Sequence, residues 1–92
     1  MTTRRLVSTR RKVAAELAGE YDATWAKLRA EVTDGGAHAW RFVSAGYPTE
    51  YLEFLEFAST ADPRAIPDAM DLMAELDRLS PGSSEEWDES PG

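Results

Sequence analysis

The stretch GYPTEYLEFLEFAST, residues 46–60, decides the fold because it is compatible with either a helix or a strand. As a helix it would line up Glu50, Glu53 and Glu56 on one side, three like charges with no lysine among them. As a strand it has two mostly apolar faces over 51–58, with Glu53 on one and Glu56 on the other. Such a pattern is typical of a strand that is covered on both sides. We therefore predict a strand over 50–58, paired in an antiparallel hairpin with a strand over 37–44.

The segments around this hairpin predict one further strand and two helices. Residues 4–12 contain β-branched side chains among arginines and favour a strand. Residues 13–33 and 67–79 repeat apolar side chains every three or four positions, which predicts two helices. The order is βαββα, so the predicted fold class is α+β: a ferredoxin-like antiparallel sheet with both helices on one face.

The helical and strand spacings also predict the core. Nine side chains are expected to be mostly buried: Leu17, Tyr21, Leu28, Trp40, Phe42, Leu52, Phe54, Met73 and Leu76.

The amino-acid composition changes at the end of the chain, which sets this segment apart from the domain. Residues 83–92, SSEEWDESPG, are acidic, so we predict one ferredoxin-like domain over 1–82 and an acidic tail over 83–92. The only candidate for a fourth strand is SEEWDES, which leaves that strand short, exchanged with a partner, or absent. We expect Trp87 to pack on the sheet edge or on a partner subunit, with its acidic neighbours near residues 4–12. The alternative is a mobile tail.

Composition excludes several kinds of site. The chain has no cysteine and one histidine, which argues against disulfides, a thiol nucleophile and a metal site, and no cofactor is expected. Residues 1–12 contain five basic residues and no acidic one, whereas 13–92 contain five basic and seventeen acidic. An acidic body disfavours nucleic acid as the ligand. No apolar run is long enough for a membrane span or a secretory signal, so we expect a cytoplasmic protein without membrane contact.

Three segments resemble a known group of proteins. EYDATWAKL on the first predicted helix, AHAWRFVSAG on one strand and YLEFLEF on the next are similar to small dimeric α+β-barrel proteins. These include the antibiotic-biosynthesis-monooxygenase-like and NIPSNAP-like groups. The resemblance covers residues 4–58 and includes no diagnostic catalytic motif. It implies a homodimer in which two four-stranded sheets pack face to face, with helices outside, and it implies a small hydrophobic ligand or cofactor-independent oxygenase chemistry.

Two residues are candidate catalytic groups. His38 is the only side chain whose ordinary pKa lies near neutrality, and it could act as a general base. Its alternative is a structural histidine at the edge of a strand. Glu53, like Glu56, lies in an apolar strand, where burial raises the pKa of a carboxyl group and suits it to acid–base work. The alternative is an ion pair with Arg41 or with an arginine of the first strand.

Aromatic residues predict a ligand-binding pocket between helix and sheet. Its candidate residues are Tyr21, Trp25, Trp40, Arg41 and Tyr51. The alternative is that these aromatic side chains are core. The sequence is therefore compatible with two classes of function, and it leaves open whether the protein is an enzyme. One is a dimeric, small-molecule-binding or oxygenase-like protein. The other is a non-catalytic protein that dimerises through its sheet and docks a partner with its basic N-terminus or acidic tail.

Overall fold

The computed structural model describes residues 3–91, which form a four-stranded antiparallel sheet with two helices on one face. The elements are β1 (Arg4–Lys12), α1 (Ala18–Asp34), β2 (His38–Val43), β3 (Glu50–Ala58), α2 (Pro67–Leu79) and β4 (Gly82–Asp88). Their order across the sheet is β2-β3-β1-β4. This confirms the predicted ferredoxin-like α+β fold. The described residues contain no helix long and apolar enough to cross a membrane.

The first helix begins later than its apolar repeat predicts. Val13 belongs to the extended chain, where it is buried and its N–H donates to the Thr49 carbonyl at 2.8 Å. Residues Ala15–Leu17 then form a single 3₁₀ turn before α1 starts at Ala18. The chain leaves α1 through Gly35 and Gly36, and Gly36 has φ of 89°, a conformation that favours glycine.

The two faces of the sheet are distinguished by the strand register and by burial. The covered face packs on the helices and includes the buried side chains of Val7, Ala39, Leu55 and Phe57. The open face carries the alternate residues of each strand and has no helix on it. Cross-strand rows on the open face are Phe42–Leu52–Arg10–Ser83, Trp40–Phe54–Ser8–Glu85 and His38–Glu56–Leu6–Trp87.

The core prediction is wrong for two aromatic residues. Trp40 is 44% exposed and Phe42 is 58% exposed, because β2 turns the small Ala39, rather than its aromatic residues, toward the helices. Of the other seven, Tyr21, Leu28 and Leu76 are buried, while Leu17, Leu52, Phe54 and Met73 are partly buried.

The segment set apart as an acidic tail supplies the fourth strand. β4 pairs with β1 over Arg5↔Asp88 to Arg11↔Gly82, so the sheet extends to residue 88. Opposite charges accompany this pairing, with Arg5 Nε at 2.7 Å from Asp88 Oδ1. Trp87 lies on the sheet edge, and its Nε1 donates to Ser8 Oγ at 3.3 Å, but 54% of the residue is exposed.

Candidate functional site

A network of polar side chains lies between the sheet and the helices, centred on Glu53 of β3. Glu53 is only 5% exposed. Its Oε2 accepts hydrogen bonds from Arg11 Nε at 2.9 Å and from the Tyr21 hydroxyl at 2.7 Å. The ion pair therefore joins Glu53 to an arginine of the first strand, one of the two partners that the sequence allowed.

The guanidinium of Arg11 makes two further hydrogen bonds besides the one to Glu53. Its Nη1 donates to Asp77 Oδ1 at 2.8 Å and to the Ser80 carbonyl at 2.6 Å, at the C-terminal end of α2. Burial alone would lower the pKa of Arg11, but Glu53 and Asp77 raise it above its ordinary value. Gly82 gives the guanidinium room, because a Cβ there would stand 3.2 Å from Arg11 Nη1 and 2.6 Å from Thr9 Cγ2.

The same network keeps Tyr21 protonated. Burial, and then the nearby Glu53 carboxylate, raise the pKa of the Tyr21 hydroxyl above its ordinary value. Glu53 Oε2 is therefore held by Arg11 and Tyr21 together in a buried ion pair.

Arg41 occupies a cage of three aromatic rings beside this network. Its guanidinium carbon lies 5.1 Å from the ring centres of Tyr21 and Tyr51 and 5.9 Å from that of Trp25. Its Nη1 also donates to Asp22 Oδ1 at 2.8 Å. A cation over several ring faces is electrostatically favourable, so the cage holds a side chain of the protein itself.

The structure brings five of the seven predicted site residues together and separates the other two. Glu53, Tyr21, Trp25, Arg41 and Tyr51 meet on the covered face. His38 and Trp40 lie on the open face, stacked with ring centres 5.6 Å apart and an angle of 13° between the rings. Beside them Arg4 hydrogen-bonds Glu56 and lowers the pKa of that carboxyl group.

The space between helices and sheet is too small for an organic ligand of ordinary size. The interior cavity has a volume of about 90 Å³ and is lined by Glu53, Trp25, Met73 and their neighbours. Ligand pockets usually enclose roughly 300–1,000 Å³. This interior space is therefore smaller than an ordinary ligand pocket, and Trp40, which was expected to line it, lies on the open face instead.

A larger concave site lies at one end of the sheet. This end groove has a volume of about 750 Å³ and is lined by residues 10–12, 42–44, 50–52 and 81–83, so all four strands contribute. Phe42 and Leu52 provide apolar surface, while Arg10 and Ser83 provide polar groups. Of its lining residues only Tyr51 was among the predicted site residues, because the others are far apart in the chain and carry no motif.

Residues 3–91 bring together no group of three or more His, Cys, Asp or Glu side chains that could hold a metal ion.

Comparison with known proteins finds the same fold in solved structures but very little similarity in sequence. No protein-family model and no curated protein matches the chain. Solved structures do match. SnoaB, a cofactor-independent oxygenase from Streptomyces nogalater, has a TM-score of 0.82 at 13% identity, covering 98% of this chain and 96% of that one. A conserved protein from Methanosarcina mazei has a TM-score of 0.80 at 11% identity, covering 99% and 95%.

A putative antibiotic biosynthesis monooxygenase from Nitrosomonas europaea has a TM-score of 0.76 at 6% identity, covering 99% of this chain and 92% of that one. At such identities the likeness shows the fold alone. It confirms the resemblance to antibiotic-biosynthesis-monooxygenase-like proteins that the residues of α1, β2 and β3 indicated.

Proposed function

We propose that this protein binds a small, largely apolar molecule in the end groove and that it does so as a homodimer. The observation that carries the proposal is the groove itself. Its volume of about 750 Å³ suits an organic ligand, and Phe42 and Leu52 give it an apolar floor. Of the other concave sites on residues 3–91, the interior cavity is too small, and a surface hollow of about 570 Å³ beside Trp25 lies where Arg41 already fills the aromatic cage and pairs with Asp22.

The dimer follows from the open face. Trp40, Phe42 and Trp87 are large apolar residues that stay about half exposed there, with Leu52 and Phe54 partly buried between them. Monomeric proteins rarely expose a continuous apolar patch of this kind. A second copy packed sheet against sheet, about 10 Å away, would bury Trp40, Phe54 and Trp87 on both copies, while Phe42 and Leu52 at the end of the face remain the floor of the groove. The second copy would also cover the end groove, which opens at the margin of the same face.

The charges support a small molecule over nucleic acid. The net charge of the chain is −7. The basic residues of β1 are largely neutralised within the chain, since Arg4 pairs with Glu56, Arg5 with Asp88 and Arg11 with Glu53. Little free positive charge is then left to attract a phosphate backbone.

A groove-filling variant tests the proposal. Binding of the neutral probe N-phenyl-1-naphthylamine is followed by its fluorescence, with wild type, Ser83→Trp and the control Ser90→Trp. Ser83 lines the groove, whereas Ser90 is an exposed residue beyond β4. We expect wild type and Ser90→Trp to bind the probe alike, and Ser83→Trp to bind it at least about tenfold more weakly. Equal binding by all three proteins, or no binding at all, would contradict the groove as the ligand site.

Oxygenase chemistry is the second candidate, and the likeness to SnoaB favours it. A substrate that reduces oxygen without a cofactor must first lose a proton, and His38 is the exposed group on the open face able to take one. Oxygen uptake with 1,4-dihydroxynaphthalene tests this candidate. A rate well above autoxidation that falls in His38→Gln would support it, and a rate equal to autoxidation would reject it for this class of substrate.

A further inference from the structure

We infer that the ligand of the end groove is a monocarboxylate with an apolar body, and that Arg10 and Ser83 hold its carboxylate. The inference rests on the proposed function, because it names the class of molecule that the same groove takes. It is carried by the order of four side chains across the sheet and by the charge state of β1.

The groove contains one cross-strand row of the open face with a polar and an apolar end. Phe42 on β2 lies beside Leu52 on β3, then Arg10 on β1, then Ser83 on β4. Neighbouring strands are about 4.8 Å apart, so the row is roughly 14 Å long. Its first half offers apolar surface and its second half offers a guanidinium and a hydroxyl. A ligand that lies along the row must therefore be apolar at one end and polar at the other.

Arg10 is the basic residue of β1 that keeps its charge free. Arg4, Arg5 and Arg11 all form salt bridges, and Lys12 Nζ lies 3.5 Å from Glu50 Oε1. Within residues 3–91 no carboxylate lies within salt-bridge distance of Arg10, and the residue is exposed. A free guanidinium offers a fork of N–H donors that matches the two oxygens of a carboxylate.

The acidic residues near the row limit the ligand to one negative charge. Glu50 lines the same groove, where Lys12 is its partner. Glu85 lies on the open face one row away, on β4. A second anionic group on the ligand would approach these carboxylates with no further free cation to compensate it. One carboxylate on an apolar body is therefore the best match.

Two compounds with the same body and different head groups test the inference. Titration calorimetry at pH 7.5 compares 2-naphthoate, a carboxylate, with 2-naphthalenemethanol, its neutral counterpart. The proteins are wild type, Arg10→Gln and the control Arg29→Gln, whose arginine is exposed on α1. We expect wild type and Arg29→Gln to prefer the carboxylate by about tenfold, the difference that one charge-assisted hydrogen bond makes. Arg10→Gln should lose that preference and bind the alcohol as wild type does.

The outcomes separate this inference from the proposed function. If neither compound binds wild type, both the groove as a ligand site and its ligand class are wrong. If both bind equally and Arg10→Gln changes neither affinity, the groove survives as an apolar site and the assignment to carboxylates is overturned. If the preference for the carboxylate persists in Arg10→Gln but disappears in Arg29→Gln, the anion binds elsewhere and the inference fails.

Discussion

The covered face and the open face of the sheet differ in how their charged and apolar side chains are satisfied. On the covered face the ion pair of Arg11 and Glu53 is buried. On the open face apolar residues such as Trp40 and Phe42 remain about half exposed. The same strand can contribute to both situations, because successive side chains point to opposite faces. The comparison suggests that the covered face maintains the fold and that the open face is available for association and binding.

Lysine substitutions at two adjacent positions of β3 should show the difference between the two faces most clearly. Leu55 is buried on the covered face, so Leu55→Lys places an unpaired charge in the core and should unfold the domain. Phe54 lies on the open face, so Phe54→Lys should leave the fold intact and convert a dimer into a monomer. Circular dichroism reports the fold, and light scattering at tens of micromolar reports the mass. A monomeric wild type, or a Phe54→Lys protein that remains dimeric, would refute the role given to the open face.

The next largest difference in stability is expected between substitutions of two glutamates of β3. Glu53→Ala leaves the buried guanidinium of Arg11 without its main partner, which should lower the free energy of unfolding by about 3–5 kcal/mol. Glu56→Ala removes a carboxylate whose pair with Arg4 is partly exposed, and its effect should be far smaller. Urea denaturation measures both. Equal losses would mean that burial does not distinguish the two ion pairs.

A smaller difference in stability, with a steric cause, is expected between substitutions of two glycines. A Cβ at Gly82 would stand 2.6 Å from Thr9 Cγ2, so Gly82→Ala must shift β4 or Thr9 and should cost about 1–3 kcal/mol of stability. Gly46 has open space around it, so Gly46→Ala should change stability little. Thermal melts compare them. An unchanged melting temperature for Gly82→Ala would show that β4 packs on β1 more loosely than described.

The smallest expected effect is the dependence of stability on pH. Hydrogen bonds from Arg64 lower the pKa of Asp62, and the hydrogen bond from Arg4 lowers that of Glu56. Groups with a depressed pKa in the folded state stabilise the protein above their unfolded pKa values and lose that contribution as pH falls through the folded ones. We therefore expect a flat melting temperature from pH 7 to about pH 5 and a decline below about pH 4. The decline should be shallower in Asp62→Asn, and an identical profile would show that this pair contributes nothing.

The sequence was sufficient to predict the order of the elements from β1 to α2 and the limits of β3, because local patterns determine both. The apolar pattern at 50–58 also separates the two faces correctly, with Glu53 on one and Glu56 on the other. It does not say which face the helices cover, because that depends on packing between distant segments. The aromatic residues of β2 were therefore assigned to the core by size, whereas the structure buries Ala39 instead.

The end of the chain and the ligand groove were the least predictable parts. β4 has no apolar run, and its residues are exposed along its whole length. What places it is pairing with β1, helped by contacts such as Arg5 with Asp88 that only the folded register brings together. The groove arises at the ends of all four strands, so no single stretch of sequence indicates it. The catalytic roles first suggested for His38 and Glu53 stay predictions.

The acidic strand β4 has a consequence for how separate molecules meet in solution. β4 is an edge strand, and edge strands can template pairing with another chain. Glu85, Glu86, Asp88 and Glu89 lie along this edge and around Trp87; Asp88 and Glu86 pair with Arg5 and Arg64, and the remaining negative charge should make two such edges repel each other at neutral pH. Charge on edge strands is a common protection against aggregation. We therefore expect the composition that makes β4 hard to recognise as a strand also to hinder its exposed backbone from seeding ordered aggregates, and this protection should weaken once the carboxylates are protonated.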